Sequence, residues 1–210
     1  VRGRSEDATS RDPYYYTRAG QFTPDADGYL QNAAGYYLLG WPVDSSGAVN
    51  ANPTDLNALE SVRVSGIAGG AEKCDYVVKE LGFDACIDHR AHSDFKSMSQ
   101  ALKEACPNGI DGNFENVGGM ILDAVMLRMN AFGRIAFCGM ISGYNGQPIP
   151  MANPSLILVS RLKLQGFIVS EHMELWPQAL AELGALVAGG QLKYRETVAQ
   201  GLASAPEAFI

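Results

Sequence analysis

The 210-residue sequence lacks any concentrated region of positive charge and any long apolar run. Its formal net charge is −7, and no cluster of lysine and arginine interrupts the acidic balance. Nucleic acids and anionic membranes are bound by concentrated positive charge, so neither is expected as a partner. No apolar run approaches the roughly 20 residues that a membrane-spanning helix needs. A small anionic cofactor remains compatible with this composition, because it needs only one or two local cations.

The sequence also lacks closely paired cysteines. Its four cysteines are widely spaced and form no C-x-x-C motif: Cys74, Cys86, Cys106 and Cys138. A zinc lobe is therefore not expected, and free thiols of a reduced cytoplasmic domain are the favoured interpretation. His89 and His92 form an H-x-x-H pair, but two imidazoles without a third ligand rarely hold zinc. We therefore predict no metal site.

The first part of the chain is rich in tyrosine and glycine. Residues 1–12 are charged and small, which is typical of a tail. Three strands are predicted after it, at residues 14–18, 29–32 and 36–41. Turns are predicted at residues 25–28, 33–35 and 44–47, where aspartate bonds its own backbone or glycine adopts a positive φ. Residues 13–64 are therefore predicted to form a small antiparallel β-hairpin region, a β-meander.

Three ordered motifs in this part resemble the flagellar hook and rod protein family. They are Tyr16–Phe22 (YTRAGQF), Asp25–Leu30 (DADGYL) and Gly35–Trp41 (GYYLLGW). The resemblance implies an extracellular structural role in the bacterial flagellum, with other hook subunits as partners and no enzyme activity. An unrelated β-meander with the same common turn chemistry is the alternative.

The second part alternates strands with helices, which predicts an α/β fold. Strands are predicted at residues 62–68, 85–88, 112–115, 133–139 and 164–169. Helices are predicted at residues 71–81, 94–105, 120–130, 154–161 and 174–188. Regular alternation at this spacing indicates a parallel, Rossmann-like sheet with right-handed crossovers, and we assign residues 65–210 to this domain.

Three of the predicted strands end in turns of glycine or other small residues. Gly69 and Gly70 follow the first strand, Gly118 and Gly119 follow the third, and Gly139 follows the fourth. Dinucleotides bind at the carboxyl ends of parallel strands, and glycine lets a backbone approach a ligand closely. These turns therefore favour a dinucleotide site, although tight strand-to-helix connections would need the same residues.

The first of these turns also indicates which dinucleotide is bound. Proteins that bind NAD place an acidic residue at the end of the second strand of the fold to accept the ribose hydroxyls. The first strand predicted here, which ends in Ala68-Gly69-Gly70, corresponds to that second strand of the fold. It has no carboxylate at its end, and Lys73 follows at the start of a helix. An absent anion and a nearby cation favour the extra phosphate of NADP. Lys73 could equally be an ordinary solvated lysine.

Several motifs of this part resemble the zinc-independent medium-chain dehydrogenase/reductase family, in its prostaglandin, curcumin and alkenal reductase branch. They are Gly66–Cys74 (GIAGGAEKC), Leu81–Ala85 (LGFDA), Phe114–Gly119 (FENVGG), Cys138-Gly139 and Ile141–Asn145 (ISGYN). The resemblance implies NADPH-dependent reduction of the carbon–carbon double bond of enones and enals. Hydride would go to the β-carbon, while hydrogen bonding would stabilise the developing enolate.

The resemblance also implies roles for individual residues. Lys73 matches the lysine that holds the 2′-phosphate of NADP, and Asn116 matches the asparagine beside the nicotinamide end. Tyr144 matches the tyrosine that reaches both cofactor and substrate, and its hydroxyl would support the enolate oxygen. The backbone of residues Phe167 to Val169 would face the carboxamide. His89 stands where the family usually has a tyrosine near the phosphate, and Gly112-Asn113 replaces a pair with higher strand propensity.

The parts that such an enzyme needs are incomplete in this sequence. No G-x-G-x-x-G or related loop precedes Val62, so the first strand and the pyrophosphate-binding loop are expected to be missing. In the strand order 3-2-1-4-5-6 the missing strand is central, so either the strand near 62–68 pairs directly with the one near 112–116, which is the simplest repair, or the Tyr-rich part fills the gap. An unpaired sheet edge could also form a homo-oligomer. We predict a chimeric fragment that is inactive alone, consistent with a start at Val1 without Met or signal-peptide core and an end at Ile210 within a helix.

Overall fold

The computed structural model describes residues 14–16, 22–24, 29–32, 34–41, 59–146, 148–196 and 198–209. The chain divides into two compact units, Val1–Glu171 and His172–Ile210. The predicted tail at 1–12 and the predicted turns at 25–28 and 44–47 lie outside the described residues. The predicted domain boundary between residues 64 and 65 stays a prediction.

The first part of the chain pairs its strands antiparallel, as the sequence predicts. Its strands are β1 (Thr23–Pro24), β2 (Leu30–Gln31), β3 (Leu39–Gly40) and β4 (Glu60–Ser61). β1 pairs with β2, and β3 pairs with β4. The strands are shorter than predicted, and β1 was not foreseen. Of the strand predicted at residues 14–18, only a bridge at Tyr14 forms among the described residues 14–16, and residues 17 and 18 lie outside the described residues. At the turn after β2, the side chain of Asn32 accepts hydrogen bonds from the backbone of Ala34 and Tyr36, and Gly35 adopts a φ of 77°.

Strands and helices alternate from residue 65 onward, which confirms the α/β prediction. The elements are β5 (Ser65–Ala68), α1 (Ala71–Lys79), β6 (Ala85–Asp88), α2 (Phe95–Ala105), β7 (Ile110–Glu115), α3 (Gly119–Arg128), β8 (Met129–Phe137), α4 (Ser155–Val159) and β9 (Lys163–Gly166). Short 3₁₀ turns lie at His89–Ala91 and Ile141–Gly143. The predicted bounds differ most at β8, which begins four residues early, followed by β5, which begins three residues late, and β9, which ends three residues early. β7 forms despite Gly112-Asn113, with a register shift between Ile110 and Gly112.

The parallel strands form two sheets rather than one. β5 pairs with β6, and β7, β8 and β9 pair in that order. The expected direct pairing of the strand near 62–68 with the one near 112–116 is wrong for the described residues. Residues before β5 are already engaged, because Arg63 bridges to Tyr29 and forms an ion pair with Asp84 at 3.0 Å.

The core of the first unit lies between helices and joins the two sheets. Ile87 of β6 packs in one apolar cluster with Met98 and Leu102 of α2, with Met126 of α3 and with Ile135 of β8. Met98 and Leu102 are four residues apart and so share one face of α2. Burying a side chain of this size stabilises the fold by about 1.5–3 kcal/mol. Side-chain packing therefore joins the sheets where backbone pairing does not.

The regular elements of the second unit, in its described residues, are all helices. A 3₁₀ segment, Val169–Leu175, begins in the last residues of the first unit and precedes α5 (Trp176–Ala188), and a 3₁₀ turn (Leu202–Ser204) leads into α6 (Ala205–Phe209). Pro177 lies in the first turn of α5, where its missing N–H costs no hydrogen bond. Across the described ranges, none of the helices has the length and apolar character needed to cross a membrane.

Candidate functional site

Two of the predicted glycines and a histidine meet where β5 and β6 end. Ala68 is paired with Asp88, so the turns after both strands emerge at the same edge of the sheet. A Cβ atom built on Gly69 would lie 2.8 Å from Nε2 of His89, which leaves no room for a side chain. Gly70 adopts a φ of 100°, which favours glycine.

A cation that the sequence analysis missed lies in the same place. The same Cβ position on Gly69 would be 3.2 Å from Nε of Arg90, and one built on Gly70 would be 3.7 Å from its Nη1. Lys73 is exposed in the first turn of α1. We call Gly69, Gly70, Lys73, His89 and Arg90 the β5–β6 cluster. The sequence feature that could have identified Arg90 is its position directly after His89, at the end of a strand.

Asp88 fixes the backbone of this cluster. Its Oδ1 accepts hydrogen bonds from the N–H of Gly70 at 2.7 Å and from the N–H of Arg90 at 3.0 Å. These two hydrogen bonds, of which the one from Gly70 has the larger effect, hold the pKa of the Asp88 carboxyl below its ordinary value. The carboxylate therefore ties the turn after β5 to the turn after β6.

A second group of predicted residues meets where β7 and β8 end. Glu115 is paired with Phe137, which brings the following turns together. A Cβ atom built on Gly139 would lie 3.0 Å from the hydroxyl oxygen of Tyr144 and 3.5 Å from Oδ1 of Asn116. The backbone of Asn116 accepts a hydrogen bond from the N–H of Ile141 at 2.9 Å. We call Asn116, Gly139 and Tyr144 the β7–β8 cluster.

The Tyr144 side chain is 67% exposed, and its hydroxyl points back to its own loop. The hydroxyl oxygen accepts a hydrogen bond of 3.3 Å from the N–H of Met140. A bond of this length is weak, so the hydroxyl is available to exchange it for another partner.

A buried carboxylate that the sequence analysis did not single out organises this cluster. Glu115 is 3% exposed, and its Oε1 accepts hydrogen bonds of 2.7 Å from the N–H groups of both Val117 and Gly118. Its Oε2 accepts a third bond from the Asn113 side chain at 2.9 Å. A buried carboxylate is stable only when it is hydrogen-bonded. The bonds that Glu115 accepts from Val117 and Gly118 therefore hold the turn that follows Asn116.

The remaining predicted positions lie just past the end of β9. The N–H of Phe167 donates to the carbonyl of Phe137 at 3.1 Å, and its ring centroid lies 6.0 Å from that of Phe114. Val169 begins the 3₁₀ segment and is exposed. Both follow the carboxyl end of β9, the same sheet edge as the β7–β8 cluster. Within the described parts of the chain, no three His, Cys, Asp or Glu side chains are grouped closely enough to hold a metal ion.

The chain is similar to several proteins named as reductases. The NADPH-dependent curcumin reductase of Escherichia coli (strain K12) is 39% identical over 173 residues, which cover 79% of this chain and 49% of that protein. The 2-alkenal reductase (NADP(+)-dependent) of Nicotiana tabacum is 39% identical over 167 residues, with coverages of 79% and 48%. Prostaglandin reductase 1 of Oryctolagus cuniculus is 38% identical over 169 residues, with coverages of 79% and 47%. The chain thus spans about half the length of the curated relatives it matches.

Solved structures of this kind share the fold. The crystal structure of CurA from Vibrio vulnificus in complex with NADPH has a TM-score of 0.60 and 42% sequence identity. The match covers 70% of this chain and 44% of that chain. These reported relatives lend no support to the hook resemblance of residues 13–64 or to a chimeric origin, and both stay predictions. Residues 56–185, more than half of the chain, match the family described as zinc-binding dehydrogenase, and the chain belongs to that family.

Proposed function

We propose that this chain is the NADP-binding part of a reductase that uses NADPH to reduce the carbon–carbon double bond of enones and enals. The observation that carries the proposal is the placement of two clusters of predicted site residues at the carboxyl ends of parallel strands, the place where α/β folds bind dinucleotides. The reductases that share this sequence pattern, named for NADPH and for curcumin, 2-alkenals and prostaglandins, support the substrate class.

The β5–β6 cluster fits the phosphate-bearing end of NADP. Arg90 and Lys73 supply positive charge, and the side chains of His89 and Arg90 lie against the bare backbone of Gly69. The carboxylate of Asp88, which lies at the paired end of β6, accepts hydrogen bonds from the backbone of Gly70 and of Arg90. It is therefore already engaged, so the cluster favours a phosphate over the free ribose hydroxyls of NAD.

The β7–β8 cluster fits the reacting end of the cofactor. Bound NADPH would supply the hydride. Asn116 and the backbone of Phe167 to Val169 would orient the ring end of the cofactor. The Tyr144 hydroxyl would leave the Met140 N–H and donate its proton in a hydrogen bond to the substrate carbonyl oxygen. That bond strengthens as the oxygen gains enolate charge, which lowers the barrier to transfer.

Three further features belong to this proposal. The reductase is zinc-independent, as the branch that the sequence resembles implies. It acts in the cytoplasm, where cysteines stay reduced, in keeping with four free thiols. In the described residues β5 pairs only with β6, and β7 only with β8, so each sheet has an edge at which a second copy of the chain could add a strand.

Titration of the purified chain with NADPH and with NADH tests the cofactor assignment. We expect NADPH to bind more tightly, and Arg90→Ala or Lys73→Ala to weaken NADPH binding by about tenfold each, the cost of losing a hydrogen bond to a charged group. NADH binding should change little. Lys96→Ala is the matched control, because it removes an equal charge from an exposed position on α2. Equal affinity for the two cofactors would contradict the proposal.

A further inference from the structure

Two of the four cysteines lie in contact in the first unit. The sulfur atoms of Cys74, on α1, and Cys86, on β6, are 3.1 Å apart, and both residues are half-buried. Formation of a disulfide bond would require the sulfurs to approach by about 1 Å more. The two sulfur atoms are therefore within about 1 Å of bonding distance.

The surroundings of the pair are apolar. A Cβ atom built on Gly66 would lie 3.6 Å from Sγ of Cys86, 3.2 Å from Val77 and 3.6 Å from Phe83. The absence of a side chain at Gly66 thus leaves space for the sulfur atoms. Burial, followed by the hydrogen bond to Cys74, raises the pKa of the Cys86 thiol to about 12. Cys86 therefore stays protonated and donates its S–H toward Cys74.

We propose that Cys74 and Cys86 form a dithiol site at which a hydroperoxide produces an intramolecular disulfide bond. The sulfur of Cys74 attacks one peroxide oxygen, the O–O bond breaks, and Cys74 becomes a sulfenic acid while water is released from hydrogen peroxide. The sulfur of Cys86 then attacks the sulfur of Cys74. The S–O bond breaks, the S–S bond forms, and the Cys86 proton leaves with the hydroxide as a second water.

The overall step is a two-electron exchange. Two thiols are oxidised to one disulfide, and one hydrogen peroxide is reduced to two waters. Cys74 is assigned as the first sulfur to be oxidised because the S–H of Cys86 donates to it, which directs the Cys86 proton toward the group that leaves Cys74 in the second step. This inference does not depend on the proposed cofactor or substrate.

Peptide mapping of the oxidised chain tests the proposal. Trypsin cleaves after Lys73, Lys79 and Arg90, which separates the two cysteines into peptides 74–79 and 80–90. Cys106 and Cys138 fall in two other peptides. After treatment of the folded chain with hydrogen peroxide and alkylation of the remaining thiols, we expect peptides 74–79 and 80–90 to be linked. Their combined mass should be about 2 Da below the sum of the reduced peptides, and a reducing agent should separate them.

Variants define the pairing. Cys106→Ser with Cys138→Ser should leave the link intact, while Cys86→Ser should abolish it and leave a sulfenic acid on Cys74 that a dimedone probe traps. The unmodified chain carries the main result, so the test does not require a variant that folds. A link between other cysteines, or oxidation of exposed Cys138 while residues 74 and 86 stay reduced, would overturn the proposal.

Discussion

The β5–β6 cluster and the β7–β8 cluster occupy corresponding places in their sheets, yet different means hold them. Both depend on a carboxylate that accepts backbone N–H groups at a strand end. Asp88 does so in the first and Glu115 in the second. Glu115 is buried and has three hydrogen-bond partners, whereas Asp88 lies nearer the solvent.

The chemistry offered by the two clusters also differs. The first gathers the Arg90 guanidinium and the His89 imidazole around the bare backbone of Gly69. The second presents neutral groups, the Tyr144 hydroxyl and the Asn116 amide, on either side of Gly139. Positive charge suits an anion that only has to be held. A neutral hydroxyl suits an oxygen whose charge develops during reaction.

Removal of the Glu115 carboxylate should have the largest effect on stability. Glu115→Ala leaves buried N–H groups of the turn without an acceptor, so we expect a loss of about 3 kcal/mol in the free energy of unfolding. Urea denaturation of the wild type and the variant measures this loss. Glu104→Ala, at an exposed position on α2, should change stability by less than about 0.5 kcal/mol. Equal effects of the two substitutions would show that the turn does not depend on Glu115.

Tyr144→Phe should separate chemistry from binding in the β7–β8 cluster. Turnover is best measured in a hybrid in which residues 62–210 replace the matching half of the E. coli curcumin reductase. We expect kcat to fall by about 10²-fold with an unchanged Kd for NADPH, because the hydroxyl acts on the developing enolate. Tyr194→Phe, at an exposed tyrosine of the second unit, is the control. Unchanged turnover in the Tyr144 variant would remove Tyr144 from the mechanism.

Gly69→Ala should impair the β5–β6 cluster more than an equivalent change elsewhere. The added methyl group would lie 2.8 Å from His89 Nε2 and 3.2 Å from Arg90 Nε, so both side chains must move. We expect NADPH affinity to fall by about tenfold. Gly112→Ala is the matched control, since no atom lies within 4 Å of the added carbon. Affinity that is lost equally in both variants would mean that the turn geometry is unimportant.

The smallest effect should be the pH dependence that Asp88 contributes. Its pKa is lowered in the folded state, chiefly by the Gly70 N–H, so the charged form is stabilised by folding. That contribution is fully present above the ordinary value of 3.8 and is lost as the pH falls through the folded-state pKa. The stability difference between wild type and Asp88→Asn should therefore shrink as the pH falls from about 5 to about 3. A stability difference that grows as the pH falls would mean that folding raises the pKa of Asp88 instead of lowering it.

Much of the fold and of the site follows from local sequence pattern. The strand at Ala85–Asp88 is found at its predicted bounds, and α2 begins one residue after its predicted start, where Asp94 caps the helix. Such features depend on residues a few positions apart, through capping and periodicity, so the sequence alone determines them. The glycines at strand ends are equally local, which is why Gly69 and Gly139 could be named in advance.

Only the tertiary structure decides which residues that are distant in the sequence come into contact. Arg90 joins Gly69, and the Tyr144 hydroxyl turns to the Met140 N–H, because parallel register and loop path bring these groups together. The sequence predicted one sheet with β5 beside β7, but the structure has two sheets joined through apolar helix packing. Strand pairing depends on contacts between distant residues, such as the ion pair of Arg63 with Asp84. Periodicity along the chain carries no information about such contacts.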